Sequence, residues 1–237
     1  MKKRERPPFT SALTKREAAA VLVYFPIHIV LLPLALGLVL ASGAVSDSAA
    51  NLMSYAVGAA YMLVFAGRFM RRDFDPLCDH PWRTITEILA AYGLMLCFNI
   101  LLGFVLSAFA AAENPNNQAV TSLALDDYGP MAAAAVFLAP IVEELLFRAG
   151  VFGLLRRRSR IAAYAASMLL FSLYHVWNYA IADPRYWIYL VQYLPVSYLL
   201  CRCYERTDTI WGSIFLHMLI NGISMRALMY LQEMMNQ

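Results

Sequence analysis

Long apolar runs recur along the whole chain, and they constrain its fold more than any other feature. A membrane-spanning helix needs roughly 20 mostly apolar residues. Seven segments meet this requirement, at about residues 18–42, 50–69, 85–111, 131–154, 161–181, 186–203 and 209–231. These runs leave the chain 61% hydrophobic and only 15% charged, whereas a soluble domain is usually about 45–50% apolar and about 25% charged. The sequence therefore predicts an all-α, polytopic bundle of transmembrane helices.

The predicted bundle is a single domain of seven helices, or of eight with one further segment. A re-entrant or amphipathic eighth segment would fit in residues 70–86 or 112–130. We expect a basic cytoplasmic tail at 1–17, a transmembrane domain at 18–231 and a short tail at 232–237. The first run is longer than the core of a signal peptide and is interpreted as a retained helix, which Pro26 and Pro33 are expected to kink.

The basic residues alternate between the loops. They cluster in the N-terminal tail and after the second, fourth and sixth runs, so that 16 of the 19 lysines and arginines lie on one side of the predicted bundle. Loops with many lysines and arginines stay in the cytoplasm. The pattern predicts a cytoplasmic N-terminus and a chain integral to a membrane, for which we expect a prokaryotic plasma membrane.

The basic residues and the cysteines do not indicate further functions. The short basic clusters between apolar runs do not indicate nucleic-acid binding. The cysteines, Cys78, Cys97, Cys201 and Cys203, lack the spacing of a metal site and are predicted to be free thiols. Nothing in the sequence indicates an oligomeric state.

Ionisable side chains inside the predicted membrane are the most informative residues. The fourth run carries Glu143, Glu144 and Arg148, the fifth carries His175, and the seventh carries His217 together with Asn221. A charge at mid-bilayer costs several kcal/mol unless it is paired or hydrated, so such residues suggest function.

Helical geometry assigns provisional partners to these side chains. On an α-helix, Glu144 and Arg148 lie about 40° apart and can form an ion pair, whereas Glu143 lies about 140° from Arg148. At about 1.5 Å per residue, Glu143 and His175 lie about 20 Å from the inner boundary, and His217 about 12 Å. Phe171 has the spacing to pack beside His175. Three helices thus bring polar groups to overlapping depths, as a site for hydrolysis requires.

Other interpretations remain open at this point. Polar residues also join helices through hydrogen bonds, and a proton or ion pathway would use the same groups. Among known protease chemistries, an HExxH zinc motif and a GxSxG nucleophile are absent, and the aspartates fall in loops or at helix ends.

Three short motifs occur in order: "EELLFR" fits EExxxR, "FSLYH" fits FxxxH, and "HMLIN" fits HxxxN. Together they resemble the CAAX protease and bacteriocin-processing (CPBP, Abi) family of intramembrane endopeptidases, similar to the type II CAAX prenyl endopeptidase. The resemblance covers about residues 85–231. It implies that Glu143 and His175 activate the attacking water and that His217 and Asn221 stabilise the oxyanion. Glu144, Arg148 and Phe171 are expected to support them.

The resemblance also sets expectations for cofactor, substrate and function. Glu143, His175 and His217 could bind zinc with a water as the fourth ligand, although we favour metal-independent chemistry. The expected substrate is a membrane protein or peptide reached from the lipid bilayer. The alternative is a non-catalytic membrane protein of the same fold, with an immunity or scaffold role.

Overall fold

The computed structural model describes residues 9–109 and 113–235. These residues contain no strand, which confirms the predicted all-α class. They form eight helices of at least twelve residues: α1 Lys15–Ala41, α2 Asp47–Arg72, α3 Pro81–Phe109, α4 Pro115–Asp126, α5 Tyr128–Arg156, α6 Arg160–Ala182, α7 Leu190–Thr207 and α8 Ile210–Met235. The basic residues at positions 2–6 and the last two residues of the expected C-terminal tail lie outside the described ranges.

Helices occur at all seven predicted positions, and α4 lies in the 112–130 range suggested for an additional segment. Short helical turns at Asp75–Asp79 and Pro184–Tyr189 connect longer helices. Ser46 and Ser159 cap the starts of α2 and α6, because each side chain accepts a hydrogen bond from a backbone N–H of the first turn.

The sixth predicted run is displaced by about four residues. It was placed at 186–203, but α7 spans Leu190–Thr207. At its start, Asp183 accepts a hydrogen bond from the Arg185 backbone and caps a tight 3-10 turn that occupies the predicted first residues. At its end, the helix continues past the apolar residues to Asp208, whose backbone adopts the left-handed conformation that ends helices.

Five helices of the described residues are long and apolar enough to cross a membrane, which makes the chain an integral membrane protein. They are α1, α2 with the following turn to Asp79, α3, α5 and α8. Helices α6 and α7 are not among them. Polar residues interrupt α6, and α7 has only 18 residues, including Arg202, Glu205 and Arg206. The count of seven spans therefore stays a prediction.

Helix α5 occupies the centre of the bundle. It contacts α1, α2, α6, α7 and α8, while α3 packs against α7 and α8. Nearly every residue from Ala139 to Gly153 on α5 is buried. Because α5 also carries the acidic pair, the fold places those carboxylates in the interior.

Three stretches of the helices adopt the wider π register, in which an N–H bonds to the carbonyl five residues earlier. They are Ile27–Leu31 in α1, and Ala133–Leu138 and Glu144–Phe152 in α5. Such segments are often found at functional sites. The stretch in α1 lies between Pro26 and Pro33, so the expected distortion takes the form of a π turn.

Candidate active site

The candidate catalytic side chains from α5, α6 and α8 meet in one buried place. The Glu143 Oε2 atom lies 3.8 Å from His175 Nε2 and 4.0 Å from His217 Nε2. This oxygen is buried and has no hydrogen-bond partner among the described residues. The three groups therefore surround a gap slightly wider than a direct hydrogen bond.

Glu144 forms a network of its own. Its Oε1 atom accepts a hydrogen bond of 2.9 Å from His217 Nδ1 and lies 3.2 Å from Arg148 Nη1. The ion pair expected from the helical spacing is thus present, although the register from Glu144 onward is π rather than α. Adjacent glutamates consequently reach opposite nitrogens of the same imidazole, Glu143 facing Nε2 and Glu144 binding Nδ1.

Arg148 is held on several sides in complete burial. Its Nη2 atom donates to the Ser197 hydroxyl at 3.0 Å, and its guanidinium lies 4.3 Å from the centroid of the Phe171 ring. A cation over an aromatic face is stabilised by the ring quadrupole. Phe171 also contacts the His175 ring, with centroids 4.5 Å apart, so it packs against both the arginine and this candidate residue.

His175 has one defined tautomer when it is neutral. Its Nδ1 atom lies 2.9 Å from the Phe171 carbonyl oxygen, and a carbonyl can only accept. Nδ1 must therefore carry the proton, which leaves a lone pair on Nε2 facing Glu143. The ring also stacks on Tyr193 at 4.6 Å, which fixes its orientation.

Asn221 is placed differently from the other candidates. Its Nδ2 atom donates to the Ala135 carbonyl at 2.8 Å. In the π register this carbonyl would meet the N–H of residue 140, but residue 140 is proline and has none. Asn221 thus satisfies a backbone group that Pro140 leaves without a donor, and its second amide hydrogen remains for another acceptor.

Tyr55, Tyr174 and His28 belong to the same cluster, although the sequence analysis did not select them. Tyr55 donates to Glu143 Oε1 at 3.0 Å, and its hydroxyl lies 3.0 Å from that of Tyr174. His28 Nε2 lies 2.9 Å from the same Tyr174 hydroxyl. One signal could have found His28, because it is the one histidine in the apolar run 18–42 and an ionisable residue at that depth suggests function.

A cavity of about 590 Å³ lies between the end of α3, α4 and the start of α7. Asn114 and Gln192 are among its lining residues. The Tyr193 hydroxyl accepts hydrogen bonds from Asn114 and Asn116, each at 3.1 Å. Asn114 thus connects the lining of this cavity to the tyrosine that stacks on His175.

The fit of a zinc ion can be tested on the spacing of Glu143, His175 and His217. Both imidazoles donate from Nδ1 and turn Nε2 inward, as metal-bound histidines do. Ligand atoms around a tetrahedral zinc lie about 3.3 Å apart, less than the 3.8 and 4.0 Å found here. Within the described ranges, no group of three His, Cys, Asp or Glu side chains is close enough to hold a metal ion. The donors have the right chemistry, and in this structure their atoms lie farther apart than the ligands of a tetrahedral zinc.

Comparison with known families gives one match. Residues 127–223 match the family described as "Type II CAAX prenyl endopeptidase Rce1-like". No curated protein and no solved structure matches the chain. The matched segment contains all three motifs, from Glu143 to Asn221, and confirms the resemblance that those motifs indicate. It leaves out α1, α2, α3 and α4.

Proposed function

We propose that the chain is an intramembrane endopeptidase, since residues 127–223 match the Rce1-like family of type II CAAX prenyl endopeptidases. It hydrolyses a peptide bond of a membrane-associated protein or peptide, using a water activated by Glu143 and His175. The matched family is one of proteases, so the proposal adds the chemistry and the residues that perform it.

One observation carries this proposal: the Glu143 Oε2 atom is buried without a hydrogen-bond partner among the described residues and faces two imidazole nitrogens at 3.8 and 4.0 Å, beyond direct hydrogen bonding. A water there would lie within hydrogen-bond reach of all three groups. Buried polar atoms are seldom left unpaired unless the site has a purpose.

The hydrogen-bond directions favour activation of that water. The water donates one hydrogen to Glu143 Oε2 and the other to the bare Nε2 of His175. Its lone pair is then free to attack the carbonyl carbon of the substrate while Glu143 takes up a proton as general base. The leaving nitrogen next receives this proton from Glu143, so that one water is consumed and both groups return to their starting state.

His217 and Asn221 are the proposed donors to the oxyanion. To donate, His217 must carry a proton on Nε2 as well as on Nδ1. With that second proton, the cluster of Glu143, Glu144, Arg148 and His217 has no net charge, the least costly condition for ionised groups away from water. Asn221 contributes the amide hydrogen that Ala135 does not use.

Seven spanning helices with a cytoplasmic N-terminus form the proposed membrane topology, since the loops rich in lysine and arginine would then share the inner side. We place the chain in a prokaryotic plasma membrane. The substrate reaches the site from the bilayer or its inner surface.

The test is the substitution Glu143→Gln, which keeps the shape of the side chain and removes the base. We expect cleavage to fall about a hundred- to ten-thousandfold while the helical content stays unchanged. The control is Glu233→Gln, which alters an exposed glutamate on α8. Membrane proteomes of cells with wild-type protein and with each variant are compared, and the substrate is the protein that accumulates uncleaved with Glu143→Gln alone. If the Glu143→Gln proteome matches wild type, or the variant restores every phenotype of a deletion, the non-catalytic scaffold or immunity role takes the place of this proposal.

Metal analysis of the same purified protein tests the proposed metal-independent chemistry. We expect less than stoichiometric zinc and activity that survives chelation. Stoichiometric zinc, with activity lost on chelation and restored by zinc, would instead assign Glu143, His175 and His217 as ligands.

A further inference from the structure

A chain of buried hydrogen bonds leads from Glu143 away from the two catalytic imidazoles. It passes from Glu143 Oε1 to the Tyr55 hydroxyl on α2, to the Tyr174 hydroxyl on α6, and to His28 Nε2 on α1. The three distances are 3.0, 3.0 and 2.9 Å. Three other helices are thereby connected to the carboxylate on α5 that the proposed reaction uses as a base.

The direction of this chain follows from the number of protons available. An ionised Glu143 can only accept, so Tyr55 donates its one hydroxyl proton to it. Tyr55 can then only accept from Tyr174, whose own proton is used in that bond. Tyr174 must in turn accept from His28. The chain is complete only if His28 is the tautomer that carries its proton on Nε2.

The surrounding rings keep His28 in place. Its imidazole lies 5.5 Å from the Tyr24 ring and 5.6 Å from the Tyr174 ring, with only 3% of the residue exposed. It also sits in the π turn between Pro26 and Pro33, where the helix departs from the regular register. The bonds of the chain are therefore formed among groups that have little freedom to move.

We propose that Tyr55, Tyr174 and His28 are positioning residues that hold the Glu143 carboxylate with Oε2 facing His175 and His217. This inference rests on the proposed function, because it assigns a purpose to the orientation of Glu143. A carboxylate held at one oxygen cannot rotate its second oxygen away from the water, and such preorganisation contributes to rate. Tyr55 and His28 lie outside the matched segment 127–223, so the first two helices are part of the site rather than only membrane anchors.

The kinetic test uses Tyr55→Phe, which removes one hydroxyl and keeps the ring. We expect kcat to fall about ten- to a hundredfold, since a hydrogen bond to a charged group is lost, with KM nearly unchanged and the helical content retained. Tyr61→Phe is the matched control, because Tyr61 is on the same helix and donates instead to the Ala20 carbonyl. His28→Gln keeps a donor near the Nε2 position and should retain most of the rate that His28→Leu loses.

The probe is a quenched fluorescent peptide with a farnesylated CAAX end, assayed in detergent micelles. A Tyr55→Phe rate equal to that of Tyr61→Phe would overturn the positioning role while leaving the proposed function intact. Cleavage retained by Glu143→Gln would instead overturn the proposed function.

A second measurement needs no substrate, and it decides the matter if the wild-type protein does not cleave the probe. In ¹⁵N NMR spectra of histidine-labelled protein in nanodiscs, the His28 signal is identified by its loss in His28→Gln. We expect a protonated Nε2 and a bare Nδ1 at His28. A proton on Nδ1 would break the chain at Tyr174 and overturn the inference.

Discussion

Glu144 and Arg148 are two buried charges that neutralise each other. Neither side chain is exposed, and Arg148 has only Glu144 as an ionic partner among the described residues. Each is also hydrogen-bonded to a neutral or titratable group, Glu144 to His217 and Arg148 to Ser197. The adjacent glutamates therefore serve different purposes: Glu144 neutralises the arginine and orients His217, which leaves Glu143 free to face the gap.

Removing one member of this pair should cost far more than removing both charges. Arg148→Met leaves Glu144 buried without its cation, and such a change typically costs about 3–5 kcal/mol. Glu144→Gln/Arg148→Met removes both charges of the pair, and the glutamine carbonyl can still accept from His217 Nδ1. We expect the double variant to unfold at a higher temperature than Arg148→Met, as measured by circular dichroism in one detergent. An equal or lower midpoint for the double variant would show that the pair is not what stabilises these positions.

At the scale of elements, prolines and π turns determine where the polar groups of α5 point. Pro140 has no N–H, so the carbonyl of Ala135 lacks its helical donor, and Asn221 on α8 supplies one. Only four residues later, a second π segment begins at Glu144 and includes Arg148. Helix α5 thus leaves its regular register on both sides of Glu143, the residue on which the proposed chemistry depends.

The double-mutant cycle of Pro140→Ala and Asn221→Ala tests this account. Asn221→Ala alone should destabilise the protein by about 1–2 kcal/mol, because the Ala135 carbonyl is left without a partner. In the Pro140→Ala background the new N–H can reach that carbonyl, and the cost of Asn221→Ala should be smaller. Unfolding in a denaturant series gives the four free energies of unfolding, and strictly additive values would contradict the account.

The peptidase activity of the same four proteins shows whether Asn221 only bonds the Ala135 carbonyl or also donates to the oxyanion. If Asn221 also donates to the oxyanion, cleavage of the substrate accumulated in Glu143→Gln cells stays low in the double variant although its stability recovers. A full recovery of cleavage would limit Asn221 to its bond with Ala135.

The sequence predicted the elements better than the contacts between them. Apolar runs located every long helix except α4, and i, i+4 spacing identified the Glu144–Arg148 pair, because both signals are local to one helix. The bonds of His28 and Tyr55 to the site depend instead on how α1 and α2 pack against α5 and α6. A tyrosine that faces lipid and a tyrosine that faces a carboxylate have the same local sequence pattern within an apolar run. Only the tertiary fold distinguishes them. The π turns were missed for a similar reason, since a proline indicates a distortion but not its register.

At the scale of the whole molecule, three ion pairs connect the basic ends of the helices. They join helices that are distant in sequence, and each involves an arginine of the loops predicted to face the cytoplasm: Arg72 with Glu17, Arg160 with Glu205, and Arg206 with Glu87. Thr10 and Ser11 also bind Asp208 at this end. Three basic loops that alternate along the chain are therefore joined at one end of the bundle.

This arrangement makes a prediction about which side of the membrane each end faces. Cys78 is exposed in the turn between α2 and α3, and Asn117 is exposed on α4 near the opposite predicted surface. Cys201 and Cys203 are fully buried, so a Cys97→Ser background leaves Cys78 as the one thiol exposed in the described residues.

In intact cells a membrane-impermeant maleimide should not label Cys78, and should label it after permeabilisation. Asn117→Cys, in a background that also lacks Cys78, should be labelled in intact cells. The opposite pattern would invert the bundle and place the basic face outside, whereas labelling of both thiols in intact cells would mean that the chain between α2 and α4 does not cross the membrane an odd number of times.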